Sequence, residues 1–420
     1  MLPAPVWLAL VVSVACTAAN ETPEARPTAQ EVRARPAAFF GTPDTLDTRL
    51  CEQPAVSARH VAFVYAGDLW VAPRAGGAPR RLTTHPGQES RPRFSPDGLT
   101  LAFSGQYDGN TDVYTLPVEG GEPQRLTWHP GMEVVHGFTP DGNEVVFSSQ
   151  RDVYTNRFWH LFHVSTAGGP PTRYPLPTCY KAALSPDGQR IAYVPLSEPF
   201  QQWKNYRGGT ASRIWICELS DLAVTMIPRP EGRCNDTDPM WIGASLYFRS
   251  DRDGEFNVYA YDEGARSVRA LTKHADFPVA NASAGGGRIV YEQAGWLHLL
   301  DPADGAATRL KLGIATDLIE TRERWVGGEE HVRSATISPS GARVAFGFRG
   351  EIVSVPAEKG DARNLTQSPG ANERHPAWSP DGRTLAWVSD ESGENRIVLA
   401  PQDGQGERRT IAPGGAGFYE

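Results

Sequence analysis

An all-β chain of stacked four-stranded repeats is predicted by three observations. The turn Ser-Pro-Asp-Gly recurs at Ser95, Ser185 and Ser379, with Thr139-Pro140-Asp141-Gly142 and Ser338-Pro339-Ser340-Gly341 as variants. Short β-branched and aromatic runs lie between these turns, and 42 Gly and 35 Pro supply the punctuation that so many chain reversals need. The whole pattern repeats along the chain, which outweighs any domain count taken from length alone.

The clearest repeat runs from Arg91 to Pro130. Pro96 presets φ near about −65° for a type I turn, and Gly98 lets the chain relax through a left-handed residue before a strand restarts. Arg91 to Phe94 enter this hairpin and Leu101-Ala102-Phe103-Ser104 leave it. Asp108-Gly109-Asn110 turns the chain into Val113-Tyr114-Thr115-Leu116, and Gly120-Gly121 turns it into Gln124-Arg125-Leu126-Thr127. Four short antiparallel strands of this kind make one propeller blade.

Residues 1–19 carry an apolar run, Val6 to Ala15, too short to span a bilayer and followed by small residues. This reads as a secretory signal peptide, or as a lipoprotein signal in which Cys16 of Ser13-Val14-Ala15-Cys16 is acylated after cleavage. Either reading makes the mature chain exported, to the periplasm or cell envelope, with the membrane reached only through a lipid on Cys16. Export leaves Cys51, Cys179, Cys217 and Cys234 in an oxidising compartment, as up to two disulfides with three connectivities or as four partly buried thiols. Residues 20–48, rich in Ala, Pro, Thr and Arg without periodicity, read as a flexible tether.

Six repeats follow over 49–317. Val61-Ala62-Phe63-Val64 with Arg81-Leu82-Thr83 marks the first, and the Arg91 unit is the second. The third and fourth begin at Thr139-Pro140-Asp141-Gly142 and Ser185-Pro186-Asp187-Gly188; the fifth keeps Leu246-Tyr247-Phe248 and Leu271-Thr272, the sixth Ile289-Val290-Tyr291. Residues 318–331, charged and without blade landmarks, read as a linker, and two more repeats fill 332–420. Propellers close at roughly four to eight blades because a blade buries its faces only against neighbours. Six blades close and two do not, so a six-bladed β-propeller followed by the first two blades of a second, incomplete one is expected, ahead of a single eight-bladed ring.

Function classes narrow in the same way. A net charge of −8 and the lack of a basic stripe offer nucleic acid no footprint. There is no Gly-x-Ser-x-Gly elbow, His-Glu-x-x-His or P-loop, so no catalytic residue is assigned. No metal or cofactor is expected either: Cys-x-x-Cys is missing, His160 and His163 fall on opposite faces of a strand, and Asp251-Arg252-Asp253-Gly254 lacks the spaced carboxylates of a calcium loop, leaving Asp251 a turn former. What stands out is an insert in the fourth repeat, Ser197 to Ile214, containing Gln202-Trp203-Lys204-Asn205-Tyr206-Arg207-Gly208-Gly209-Thr210. Two readings of it stay open. Lys204, Tyr206 and Arg207, with Trp203, hold a peptide carboxylate or a partner subunit; or Trp203 and Tyr206 pin the loop while Lys204 and Arg207 are solvated.

The blades with Ser-Pro-Asp-Gly turns resemble those of periplasmic proteins related to TolB, and the insert is similar to the WKxYRGGT segment in the first propeller of tricorn proteases and their bacterial homologs. Gly350 to Gly360 resembles the opening of the second propeller in bacterial members. The likeness covers nearly all of the mature chain. It implies the propeller region of a large self-associating serine peptidase, in which a six-bladed and a seven-bladed propeller precede a PDZ-like module and the protease core. The propellers there guide peptides to and from an enclosed active site. The nucleophilic Ser and its His belong to the downstream core, so no residue of this chain inherits a catalytic role. The expected partners are therefore peptides or unfolded polypeptide, with homo-oligomerisation in the full-length parent. The alternative is a free-standing periplasmic TolB-like scaffold that binds other proteins.

Overall fold

Antiparallel hairpins dominate the computed structural model, which describes residues 44–155, 157–316 and 328–412. The signal segment 1–19 with Cys16, most of the tether and residues 317–327 of the linker region lie outside the described residues. The chain divides into two compact units, Met1–Glu320 and Thr321–Glu420. Among the described residues the first holds six four-stranded sheets, over 52–81, 89–125, 133–173, 181–226, 236–270 and 279–309. The second holds two, over 332–364 and 374–411. Each sheet is a meander of four consecutive strands, as the repeat pattern predicts.

Two local devices recur in these sheets. In the first hairpin turn the Ser95 hydroxyl donates to Asp97 Oδ1 (2.6 Å) and accepts from the Thr100 amide (3.0 Å), while Asp97 Oδ1 accepts from the Leu99 amide (3.0 Å). Gly98 then takes φ +73°, where a side chain is strained. The same network forms at Thr139, Ser185 and Ser379, so each of these aspartates is a turn fastener. The second device explains the Leu-Thr pairs that close the repeats. Thr83, Thr127, Thr272 and Thr366 accept the backbone amides of Leu69, Val113, Val258 and Ile352 at 2.8 to 3.1 Å, which satisfies a third-strand donor where the two-to-four-residue outer strand ends.

In the first unit the inner strands contact one another in chain order, and the last, Val279–Gly285, contacts the first, Glu52–Val56. The six sheets therefore form a closed ring. Val56, Val61, Phe63, Trp70 and Ala72 of the first sheet share one core with Val290, Leu297 and Leu310 of the sixth. Polar contacts reinforce it: the Ser283 hydroxyl donates to Pro54 O (2.8 Å), the Thr48 amide to Leu312 O (2.7 Å), and Gly77 bridges Leu312. Asp44 to Thr48 are thus held against the sixth sheet, with Asp47 2.8 Å from Arg309. Among the described residues, the four cysteines Cys51, Cys179, Cys217 and Cys234 are buried and unpaired, in keeping with the thiol reading, and burial pushes Cys51 up to about 12.

Closure has a steric condition. The sixth sheet replaces the Ser-Pro-Asp-Gly turn with Gly285-Gly286-Gly287, and its backbone lies against that of the first sheet. A Cβ on Gly285 would fall 2.0 Å from Val56 O, and one on Gly286 2.6 Å from the Ala58 nitrogen, where φ is also +55°. The second unit has its own core, in which Ala345, Ile352, Leu365, Leu385, Trp387 and Val398 are buried. Its inner-strand residues Val332 and Ile337 are exposed.

Gly285→Ala and Gly286→Ala are each expected to destabilise the first unit by about 1–3 kcal/mol, the scale of an overpacked contact. Gly137→Ala, where a Cβ meets nothing within 4 Å, is expected to be near neutral. Urea unfolding followed by tryptophan fluorescence checks the contrast.

Candidate functional site

The inner strands of the ring carry a repeated irregularity. Gln53, Arg91 and Asp238 take φ of +48°, +56° and +48°, and each precedes a proline: Pro54, Pro92 and Pro239. At each, the register with the second strand slips, between Glu52 and Ala55, Ser90 and Arg93, and Thr237 and Met240. Proline brings no amide to the ladder, and the residue before it is barred from the helical region, so a bulge forms there. Left-handed backbone at a non-glycine residue costs on the order of 1 kcal/mol. In return, bulges re-aim side chains. Arg91 and Asp238 here line a central cavity of about 400 Å³ bounded by the inner strands of all six sheets. The second unit repeats the motif at His375-Pro376, with φ +55°.

The cavity wall is charged. Lys181 Nζ lies 2.9 Å from Glu198 Oε2 and 2.7 Å from Asp238 Oδ1, and Arg249 Nε lies 2.5 Å from Asp238 Oδ2. Arg249 also donates to Val279 O, at 2.6 Å, and the Thr237 hydroxyl donates to Glu198. Burial alone would raise the Asp238 carboxyl, but the charges of Arg249, Lys181 and Arg91 outweigh it and hold the group well below the usual carboxylate range. His136 is likewise held well below the ordinary value for an imidazole: burial first, then Arg91, Arg93 and Lys181, keep it neutral, with Nε2 2.7 Å from Ser148 Oγ. Arg93 donates to His136 O (3.2 Å) and Pro92 O (2.7 Å); burial, then Arg91, lowers it to about 10.

The insert is rooted in this wall. Glu198, buried beside Lys181, is its second residue, and a 3-10 turn, Pro199–Gln201, follows. Phe200 packs 4.7 Å from Phe256 of the next sheet's loop. Beyond it Trp203 is 61% exposed, with its ring 6.2 Å from Tyr206. Lys204 is exposed and pairs with Glu255 at 2.6 Å. The Tyr206 hydroxyl meets Thr210 at 3.0 Å, and Tyr206 O accepts from Asn235 at 2.9 Å. Arg207 Nη1 donates to Asp251 Oδ2 at 2.6 Å, and Asp251 is buried and also holds the Asn235 amide at 2.7 Å. Asp251 O accepts from Gly254 at 3.2 Å, so this aspartate both shapes its turn and fastens the insert.

The structure divides the labour of the insert differently from the pinning reading. Arg207 and the Tyr206 backbone do the pinning, and Trp203 with Lys204 is what faces solvent. Arg91, Arg93, His136, Lys181 and Asp238, which line the cavity, and Glu198 and Arg249, which pair with them, had drawn no attention in the sequence. The signal for Arg91 and Asp238 is the residue-Pro pair at one repeat position, Gln53-Pro54, Arg91-Pro92, Asp238-Pro239 and His375-Pro376. No group of three or more metal-ligating side chains is assembled among the described residues.

Comparison with known proteins bears on what such a site does. Residues 48–306 match the family described as the tricorn protease N-terminal beta propeller domain. Tricorn protease homolog 1 of Streptomyces coelicolor is 31% identical over 364 residues, covering 84% of this chain and 33% of the relative. The crystal structure of the tricorn protease superposes with a TM-score of 0.67 at 20% identity, over 86% of this chain and 35% of that one, which is a likeness of fold. TolB from Acinetobacter baumannii gives a TM-score of 0.38 at 18% identity, over 63% of this chain and 54% of that one. The chain spans about a third of the length of the tricorn relatives it matches.

Asp238→Asn leaves Lys181 and Arg249 facing a neutral group and is expected to cost about 3 kcal/mol at pH 7, as breaking a buried pair does. The folded-state value of Asp238 is depressed, so its contribution is full above its unfolded value of about 4 and is lost as the pH falls through that range toward the folded value. Urea titrations from pH 7 to 3 are expected to show a shallower acid-side loss of stability in the variant than in the parent.

Proposed function

Since the chain belongs to the tricorn protease N-terminal β-propeller family, we propose that it is the non-catalytic propeller portion of an exported tricorn-like serine protease. Its first unit is a six-bladed propeller, and the two sheets of the second are the opening blades of another, incomplete one. Six sheets whose inner strands meet end to end support the first count; the exposed Val332 and Ile337 on the inner strand of the second unit support the other. The role of the first unit is to lead peptides or unfolded polypeptide toward the protease site of the full-length parent. Homo-oligomeric assembly belongs to that parent.

One observation carries this reading. A cavity on the axis of the ring, lined by Arg91, Arg93, Lys181 and Asp238, is tied through the Lys181–Glu198 pair to the insert that presents Trp203 and Lys204 to solvent. An extended chain suits such a site: the lining offers charged groups and backbone in place of an enclosed apolar pocket, and the exposed indole offers a flat contact for passing side chains.

Fluorescence anisotropy of labelled unstructured peptides against the 420-residue chain tests the reading. Trp203→Ala is expected to weaken binding by roughly five- to tenfold, the scale of one aromatic contact, and Lys204→Ala by less. Equal affinities for the parent and both variants would remove the insert from the path. An antibody against the first unit, used on the source organism, is expected to detect a mass well above 45.8 kDa. Detection only at or below that mass would contradict the proposed parent.

A further inference from the structure

Among the described residues, three inner strands of the first unit open on a buried acid, Glu89, Glu133 and Asp236, each opposite the last residue of its second strand, Gly105, Ser149 or Ser250. Two residues beyond that partner the third and fifth sheets place an arginine: Arg151 pairs with Glu133, and Arg252 with Asp236 at 2.9 Å. Each guanidinium lies over two rings, Phe147 and Phe162 or Phe248 and Tyr259, at 5.0 to 5.5 Å. The second sheet keeps the rings, as Phe103 and Tyr114, but the residue packed on them is Tyr107, with centroids 6.3 and 4.7 Å away. Glu89 therefore lacks the cation that its counterparts have, and among the described residues it forms no ion pair. Arg81, the cation that acts on it from the first sheet, is paired with Asp68 at 2.6 Å.

The hydrogen bonds around Glu89 leave room for a proton. The Thr83 hydroxyl accepts from the Leu69 amide (2.8 Å) and donates to Glu89 Oε2 (2.7 Å), so that oxygen is engaged. Glu89 Oε1 and the Tyr107 hydroxyl are both buried without a hydrogen-bond partner, and the two groups lie close enough to act on each other. Asp68 and Arg81 face Glu89 from the first sheet, while Tyr114 and the exposed His85, its ring 4.3 Å away, face Tyr107. Burial comes first and pushes the Glu89 carboxyl up to about 7, against the hydrogen bonds of Thr83 and Tyr107 and the charge of Arg81, and with the charge of Asp68. Glu133 is raised by burial as well, but Thr127 and Arg151 answer it.

We propose that Glu89 and Tyr107 form a proton-operated joint between the first and second sheets, closed while Oε1 carries a proton that the phenol oxygen accepts and loosened when that proton leaves for solvent. Ionisation strands a carboxylate beside Asp68 with no cation of its own, and water reaches it only if the seam opens. The joint lies where opening moves something. The Glu89 amide donates to Gly67 O in the first sheet's turn (2.9 Å), and Glu89 begins the strand Glu89–Phe94 that carries Arg91 and Arg93 to the cavity wall. The device is independent of what occupies the axis. Because the folded-state value lies above the ordinary glutamate value of about 4.3, the stabilisation is full below that value and is lost as the pH rises through about 7.

The experiment is urea unfolding of the 420-residue chain from pH 5 to 8, on the parent, Glu89→Gln and Tyr107→Arg. The unfolding constant of the parent, relative to that of Glu89→Gln, is expected to rise by about two orders of magnitude over this range, the fold-change that a carboxyl moved from about 4.3 to about 7 carries. Tyr107→Arg places a guanidinium on Phe103 and Tyr114, as in the third and fifth sheets, and is expected to remove most of the rise. Amide exchange read by mass spectrometry and corrected for intrinsic rates locates the effect. In the parent, peptides covering Glu89–Phe94 are expected to exchange faster at pH 8 than at pH 6, relative to peptides covering Glu133–Phe138, and in neither variant. Where Glu89→Gln does not fold, the parent and Tyr107→Arg decide. A flat ratio, a rise that persists in Tyr107→Arg, or a rise without faster exchange in Glu89–Phe94 overturns the proposal.

Discussion

Closure of the sixth sheet on the first is the constraint that the rest of the first unit depends on. A twisted four-stranded sheet leaves two faces to be covered, and a ring covers all of them only if its last member meets its first. Here that meeting is backbone against backbone: Gly285 and Gly286 lie where any Cβ would collide with Val56, Ser57 and Ala58. The shared core of Trp70, Phe63, Leu297 and Leu310 then seals behind them. Among the described residues no strand from before Glu52 joins the sixth sheet; the bridge from Gly77 to Leu312 and the hydrogen bonds of Thr48, Leu50 and Ser283 fasten the seam.

Because the ring closes, six inner strands converge on one axis, and what they aim inward becomes a site. The residue-Pro bulges decide this. Those at Arg91 and Asp238 sacrifice ladder regularity and accept a left-handed residue at positions whose side chains line the cavity. Lys181 then links the wall to the insert through Glu198 and to the neighbouring sheet through Asp238. A single buried network therefore spans two sheets and a loop, and the insert is positioned by the same charges that line the axis.

Much of the fold was legible in the chain because its signals are local. The Ser-Pro-Asp-Gly turns and the Leu-Thr ends each satisfy backbone groups within one repeat, so their chemistry can be read without knowing what lies across the ring. The worn sixth repeat shows where this stops. Its three glycines look like decay of the turn motif, yet two of them, Gly285 and Gly286, answer a steric demand from a segment more than two hundred residues earlier. The insert was visible as a departure from the repeat, but its division of labour was not. That Arg207 is a fastener depends on Asp251, 44 residues away, and that Lys204 is exposed depends on where the loop lands. Arg91, Arg93 and Lys181 gave no cue of their own, since the carboxylate whose charge acts on all three, Asp238, lies in another sheet.

The proposed path for polypeptide is the axis of the first unit. The most direct measurement is photo-crosslinking of an unstructured peptide carrying a diazirine side chain, followed by mass-spectrometric location of the adducts on the 420-residue chain. The account predicts adducts concentrated on the inner strands, in Glu89–Phe94, Lys181–Leu184 and Asp236–Ile242, and on the loop at Trp203. Adducts confined to the outer strands or to the second unit, with the inner strands unlabelled, would contradict it.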